Sequence, residues 1–173
     1  GKTTITYLIK SILETAGKQV GIIGTNQNII GDKVLLTKST TPTTPNALEL
    51  QQLFNEMVHY GADYVVMEVS SHALELDRVY GCKYDVGVFT NLTQDHLDFH
   101  KTMENYLNAK AKLFAMSAKG VVNYDDDGGK KIVQKADCGD IIKVGMDSDC
   151  DIQAKNINST TRGSHFDIVY KDK

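Results

Sequence analysis

Gly1-Lys-Thr-Thr-Ile-Thr-Tyr-Leu-Ile-Lys-Ser-Ile-Leu-Glu-Thr-Ala-Gly17 opens the chain, and after Lys18 comes Gln19-Val-Gly-Ile-Ile23. Ile5, Leu8, Ile9, Ile12 and Leu13 recur at helical spacing and Gly17 follows as a stop, so residues 2–16 read as an amphipathic helix. Gln19–Ile23 reads as a short buried strand. Gly1-Lys2-Thr3-Thr4 directly before a helix has the form of the second half of a phosphate-binding loop. In such a loop, backbone amides at the helix N-terminus cradle phosphates, the lysine reaches the terminal ones and the threonine hydroxyl binds magnesium. The plain alternative is a helix N-terminus with an exposed lysine. The chain starts without a methionine and in the middle of this motif, which points to a piece of a longer protein.

The same rhythm continues downstream. Residues 25–44 have no sustained apolar period and read as a long loop, with a hairpin around Asp32. Thr44-Pro45 has the form of a helix cap followed by proline at the first helical position. Leu50, Leu53, Phe54, Met57 and Val58 form that helix's stripe, ended by Gly61. Tyr64–Val69 and Asp85–Thr90 are nearly continuous apolar runs, as expected of strands covered on both faces. A helix over about 103–116, a strand at Gly120–Asn123, a turn at 125–129, a short helix and a strand at Asp140–Val144 complete the alternation. Strand and helix in this order predict an α/β fold, a parallel sheet with helices on both faces. After about residue 149 the pattern changes. Ile152–Ile157 and His165–Tyr170 alternate apolar and polar around a turn at 159–164, which predicts a small antiparallel sheet near the C-terminus.

Composition narrows the function classes. The 173 residues are 41% hydrophobic and 24% charged, an ordinary globular balance. The net charge of −3 argues against a general nucleic-acid binder. No apolar run approaches the roughly 18 residues of a membrane helix. Cys82, Cys138 and Cys150 are odd in number and form no CxxC pair, so a disulfide framework or zinc site is not expected and a reducing cytoplasm is.

Glu68 ends one buried strand, and Asp95-His96 follow the next. Ligands of open parallel sheets bind outside the carboxyl ends of the strands. A glutamate closing an apolar strand is costly to bury without a partner or a metal. Hard oxygen donors suit magnesium. The alternatives are that Glu68 pairs with an Arg or Lys and that His96 caps a turn. Ser70-Ser71-His72 lacks the GxSxG elbow of a serine hydrolase. Lys110 lies near the apolar side of its helix, where pattern alone reads it as a snorkelling lysine. His100 reads as a surface or loop histidine.

Several segments in this order and spacing resemble one family. They are Gly1-Lys2-Thr3-Thr4, Thr40-Thr41-Pro42-Thr43-Thr44-Pro45, Met67-Glu68-Val69-Ser70-Ser71-His72, Phe89-Thr90-Asn91-Leu92-Thr93-Gln94-Asp95-His96-Leu97-Asp98-Phe99-His100, Tyr106–Phe114 and Val122-Asn123-Tyr124-Asp125-Asp126. Together they closely resemble the central ATP-binding domain of the Mur ligases, enzymes of bacterial peptidoglycan precursor synthesis. The resemblance covers nearly the whole chain. It implies a truncated central domain over 1–173, with about 1–148 as the parallel core and about 149–173 as part of the antiparallel piece. A UDP-binding domain before it and an amino-acid-binding domain after it would be missing.

The resemblance also implies roles. Gly1, Lys2, Thr3 and Thr4 would bind ATP. Thr3, Glu68, His96 and a carbamylated Lys110 would hold two Mg2+ ions. Lys2, Lys110 and His96 would serve catalysis. Thr43, Thr44, Ser70 and Arg78 would contact UDP-N-acetylmuramoyl-dipeptide. The implied reaction is ATP-dependent addition of a diamino acid to that dipeptide through an acyl phosphate, in the bacterial cytoplasm, with the fragment alone inactive. Two rivals remain: a folylpolyglutamate-type or other Mur ligase, and a non-catalytic P-loop regulatory module.

Overall fold

The computed structural model describes residues 1–36 and 41–170. Thr40 of the threonine-rich run and the last three residues of the proposed 149–173 segment lie outside the described residues. The chain divides into two compact units, Gly1–Cys82 and Lys83–Lys173.

In the first unit, α1 (Lys2–Thr15) leads into β1 (Val20–Ile23), whose four residues are all buried. β2 (Asn28–Ile30) and β3 (Lys33–Leu35) form the hairpin expected around Asp32. Its turn is possible because Gly31 takes a φ of +55°, which glycine adopts without a Cβ penalty. Next come α2 (Ala47–His59), β4 (Tyr64–Met67) and the short α3 (Ser71–Glu75), a helix the sequence pattern did not announce. The sheet order is β3-β2-β1-β4, with β1 and β4 parallel and the hairpin antiparallel. α1 packs on β1 and β4. A Cβ at Gly21 would lie 2.5 Å from Met57 Sδ, so that glycine lets α2 lie close on β1.

Three local expectations are corrected here. The cap of α2 is Asn46, whose side chain accepts from Glu49 N at 3.0 Å, and not Thr44. Thr44 is buried and its hydroxyl is used elsewhere, as described below. The apolar stripe of α1 is only partly covered, with Leu8 57% and Ile12 68% exposed and Thr6 the buried residue of the helix. β4 ends at Met67, and none of its four residues is fully buried.

The second unit contains β5 (Tyr84–Phe89), α4 (Leu97–His100), α5 (Met103–Ala115), β6 (Ser117–Asn123), α6 (Asp127–Lys135), β7 (Asp140–Gly145), β8 (Ile152–Thr160) and β9 (Gly163–Tyr170). Sheet order follows chain order from β5 to β9, parallel through β8 and antiparallel at β9. The expected antiparallel pair therefore forms, but it extends the parallel sheet through β7 instead of standing as a sheet of its own. Its register shifts between Lys155 and Asn158, where Asn156 takes a φ of +51°.

Phe89, Leu107, Phe114, Val122 and Ile132 make the core of this unit. Phe114 lies over Gly120, where a Cβ would come within 2.8 Å of its ring. The expected turn at 125–129 is shorter, because Asp126 caps α6 and both Gly128 and Gly129 are already helical. A Cβ at Gly129 would meet the Asn123 carbonyl oxygen at 1.9 Å, so only glycine lets α6 start this close to the end of β6. Among the described residues, no helix is long and apolar enough to cross a membrane.

Candidate functional site

Two groups of functional side chains form, one in each unit. In the first, β4 ends by donating Glu68 N–H to the Ile23 carbonyl at 2.8 Å, which places the Glu68 side chain beside the end of β1. Glu68 is 3% exposed. Its Oε2 accepts from Thr3 Oγ1 at 2.9 Å and from Thr25 Oγ1 at 3.2 Å, and its Oε1 accepts from Thr25 N at 3.0 Å. All three donors are neutral, and among the described residues no lysine or arginine pairs with it. Among the described residues, the Arg or Lys partner considered from sequence is not what holds Glu68. Gly24 makes the room, since a Cβ there would lie 2.4 Å from Glu68 Oε1.

Lys2 is exposed at the first turn of α1, and Gly1 precedes that helix without a side-chain cap. The first-turn N–H groups have no helical acceptor, as at every helix start. Thr3 is thus at once in the Gly-Lys-Thr-Thr turn and on the buried carboxylate. Thr4 is exposed.

Thr44 Oγ1 donates to the Glu68 carbonyl at 2.9 Å and accepts from Ser70 N at 3.0 Å, bridging the turn after β4. Ser70 Oγ accepts from Ala73 N and caps α3. Arg78 Nη1 donates to the Thr44 carbonyl at 3.2 Å. Thr43 Oγ1 lies 3.1 Å from Thr25 Oγ1, with its backbone at a φ of +69°, an uncommon conformation for a β-branched residue. Of the four residues expected on the muramoyl-peptide, Thr44, Ser70 and Arg78 are thus tied to one another and to the Glu68 turn, and Thr43 reaches Glu68 through Thr25. Thr44 in particular has its hydroxyl committed within the chain.

In the second unit the loop after β5 is pinned from three sides. Asn123 Nδ2 donates to the Thr90 carbonyl at 2.9 Å, and Lys110 Nζ donates to the Asn91 carbonyl at 3.1 Å. Asp126 Oδ1 accepts from Leu92 N at 3.1 Å as well as from Gly128 N and Gly129 N. Lys110 is half-buried, with Nζ 4.9 Å from the centre of the Tyr106 ring and 5.7 Å from that of Phe89. His96 meets the same Tyr106 edge-on at 6.0 Å, and His100 stacks on it at 4.8 Å with 14° between planes. His100 is only 5% exposed, which corrects its reading as a surface residue. His96 does start a helix, as the turn-cap alternative held, but at a φ of +55° and without a side-chain capping bond. Its Nε2 lies 3.4 Å from Asp95 Oδ2, both groups exposed.

Thr3 and Glu68 therefore come together, as do His96 and Lys110 around Tyr106. Among the described residues, no group of three or more His, Cys, Asp or Glu is placed to hold a metal ion. Sequence reasoning missed Thr25, Gly24, Tyr106 and Asp126. The Gly24-Thr25 pair directly after a buried strand was the available signal for the first two.

The family model of the Mur ligase middle domain matches residues 1–173. The chain belongs to the Mur ligase family. UDP-N-acetylmuramoyl-L-alanyl-D-glutamate--2,6-diaminopimelate ligase 1 of Clostridium acetobutylicum is 52% identical over 171 residues, 99% of this chain. The Clostridium botulinum protein of the same name, without the numeral, is 50% identical over 173 residues, 100% of this chain. The chain spans 35% of the length of each of these relatives. A solved structure of a UDP-N-acetylmuramoyl-L-alanyl-D-glutamate--2,6-diaminopimelate ligase superposes with a TM-score of 0.88 at 29% identity, over 98% of this chain and 35% of that one. The Thermotoga maritima MurF ligase in complex with ADP shares the fold, with a TM-score of 0.66 at 19% identity over 99% of this chain and 36% of that one. The Mur ligase fold thus accounts for both units, including the hairpin that extends the second sheet.

Proposed function

We propose that the full-length protein carrying this chain is an ATP-dependent ligase that adds a diamino acid, 2,6-diaminopimelate, to UDP-N-acetylmuramoyl-L-Ala-D-Glu in the bacterial cytoplasm. The observation that carries the reading is Glu68, a buried carboxylate surrounded by neutral donors and bonded to the threonine of the Gly-Lys-Thr-Thr turn. A cation bound there would offset the desolvation of the buried carboxylate. Its oxygens and the Thr3 hydroxyl are the hard donors magnesium prefers, so this donor set fits a divalent cation. The choice of diaminopimelate over lysine leans on the relatives' names.

In this reading Gly1, Lys2, Thr3 and Thr4 hold the ATP phosphates, with Lys2 reaching the terminal ones. Thr3 and Glu68 would hold one magnesium ion, and His96 and a carbamylated Lys110 would serve a second. Such ions, when bound, would neutralise charge gathering on the transferring phosphoryl group. The substrate carboxylate attacks the γ-phosphorus, the bond to ADP breaks, and an acyl phosphate forms. The incoming amine then attacks the acyl carbon, phosphate leaves with the bonding pair, and the amine loses a proton as the amide forms. Thr43, Ser70 and Arg78 orient the muramoyl-peptide, while Thr44 holds the turn that carries Glu68. Phosphate release from ATP by the full-length protein tests this. Release is expected only with both UDP-N-acetylmuramoyl-L-Ala-D-Glu and diaminopimelate present. Release with a folate and glutamate instead moves the protein to the folate-type ligases. ATP binding without any stimulated release moves it to the regulatory modules.

A further inference from the structure

Thr25 has no role in the reading above, yet both its backbone N–H and its hydroxyl donate to the Glu68 carboxylate. Its backbone N–H reaches Oε1 at 3.0 Å and its hydroxyl reaches Oε2 at 3.2 Å, so it grips both carboxylate oxygens. On its other side the Thr25 hydroxyl lies 3.1 Å from Thr43 Oγ1. Proton counting gives this chain a direction. An ionised carboxylate only accepts, and a hydroxyl has one proton to donate. Thr25 spends its proton on Glu68, so the proton between the two threonines belongs to Thr43. The order is Thr43 to Thr25 to Glu68, with Thr3 donating to the same Oε2 from the opposite end.

We infer that Thr25 is a positioning residue that locks the Glu68 carboxylate and, by taking up the Thr43 proton, leaves Thr43 as an acceptor for an N–H or O–H of the bound substrate. Two consequences follow. Glu68 cannot rotate away from the Thr3 side without breaking both bonds to Thr25. Thr43 is poorly matched to a phosphate or carboxylate oxygen and well matched to an amide or sugar hydroxyl. Gly24 supports the arrangement, because any side chain there would push against Glu68 Oε1. Thr43 is held at a φ of +69°, so its side chain is aimed by the backbone as well as by this bond.

The inference rests on the ligase reading, and the experiment separates the two. Mn2+ binding to the full-length protein is measured by electron paramagnetic resonance with a non-hydrolysable ATP analogue. The KM for UDP-N-acetylmuramoyl-L-Ala-D-Glu is measured alongside, in wild type, Thr25→Val, Thr25→Ser, Thr43→Val and the Thr25→Val/Thr43→Val double variant. Residues that orient metal ligands typically change metal affinity about 10–100-fold when removed. Thr25→Val is expected to weaken Mn2+ binding about tenfold or more and to raise the dipeptide KM. Thr25→Ser keeps the proton and is expected to restore both. Thr43→Val is expected to raise KM while leaving Mn2+ binding within about twofold, and its effect is expected to shrink in the Thr25→Val background, as for directly coupled residues. Wild-type protein that binds no Mn2+ with the analogue sinks the ligase reading and this inference together. Wild-type binding with an unchanged Thr25→Val sinks the inference alone. So does a Thr25→Ser as weak as Thr25→Val, or KM effects of the two single variants that multiply in the double.

Discussion

Glu68 and Lys110 carry opposite charges into poorly solvated places, and the two units hold them by opposite means. The carboxylate sits among small hydroxyls and one backbone amide, all aimed at its two oxygens. The ammonium sits on a backbone carbonyl and over aromatic rings. Hydrogen bonds to a charged group are directional and worth about 1.5–3 kcal/mol each. A cation over a ring is held more loosely, at about 0.5–2 kcal/mol. Glu68 is held through both carboxylate oxygens by three hydrogen bonds, whereas Lys110 combines a hydrogen bond to the Asn91 carbonyl with contacts to two rings. The two arrangements match the roles proposed above, a carboxylate that would hold a metal ion and a lysine that the Mur ligase reading expects to be chemically modified.

The largest test of this contrast is Glu68→Gln in the full-length protein. The amide has similar size, but it donates on one side where the carboxylate accepted, and it lacks the charge. Phosphate release is expected to fall at least about a hundredfold, while unfolding becomes easier by only about 1–3 kcal/mol for the bonds the amide cannot accept. Equal loss of stability and activity would instead make Glu68 a structural residue. Gly24→Ala probes the same group from outside. The new methyl meets Glu68 Oε1, so the carboxylate must shift and loosen the bonds that hold it. Activity is expected to drop about tenfold, in the range of displaced ligand-orienting contacts, with a fall in melting temperature as those bonds loosen. Unchanged activity would show that Glu68 tolerates displacement, removing the contrast with Lys110.

Tyr106→Leu tests the second unit. It removes the ring shared by Lys110, His96 and His100, and unfolding is expected to become about 1–3 kcal/mol easier. Tyr106→Phe keeps the ring and is expected to lose less. Equal losses in denaturant titrations would shift the weight from the ring to the hydroxyl.

The smallest effect concerns Cys150, which is buried in the second unit. Burial first, and then the charges of Asp125 and Asp147, raise its thiol above the ordinary range. With the folded value raised, the unfolded chain loses its proton first as pH rises. This contribution to stability is complete below the unfolded value and is lost as pH climbs through the folded one. Cys150 is accordingly expected to be alkylated slowly at neutral pH, more slowly than Cys82, in a timed thiol-labelling experiment. Fast labelling would show that this part of the unit opens readily.

Much of the architecture follows from local pattern. Ile5 to Leu13 at helical spacing, the Val20–Ile23 run and the 152–170 alternation each name an element from nearby residues alone, because helix and strand periods are local properties. The hairpin at Asp32 needed only a glycine able to turn. Gly-Lys-Thr-Thr and Glu68 were also legible, the first as a motif and the second as a charge out of place at a strand end. What local pattern could not supply was any relation across the chain. Thr25 lies 43 residues before Glu68, Thr44 lies 26 before Ser70, and Asp126 lies 34 after Leu92. Thr44-Pro45 looked like a cap because capping is a short-range preference. In the folded chain its hydroxyl bridges the turn at Glu68 instead, and Asn46 takes the cap. His100 looked like a surface residue because nothing adjacent announces Tyr106 stacking on it. The sequence by itself determined the elements and the candidate chemistry, since both reside in residue type and spacing. Tertiary structure alone decided which hydroxyl reaches the buried carboxylate and which ring carries the lysine, since a hydrogen bond or a stacked ring is set by distances of a few ångströms between residues far apart in the chain.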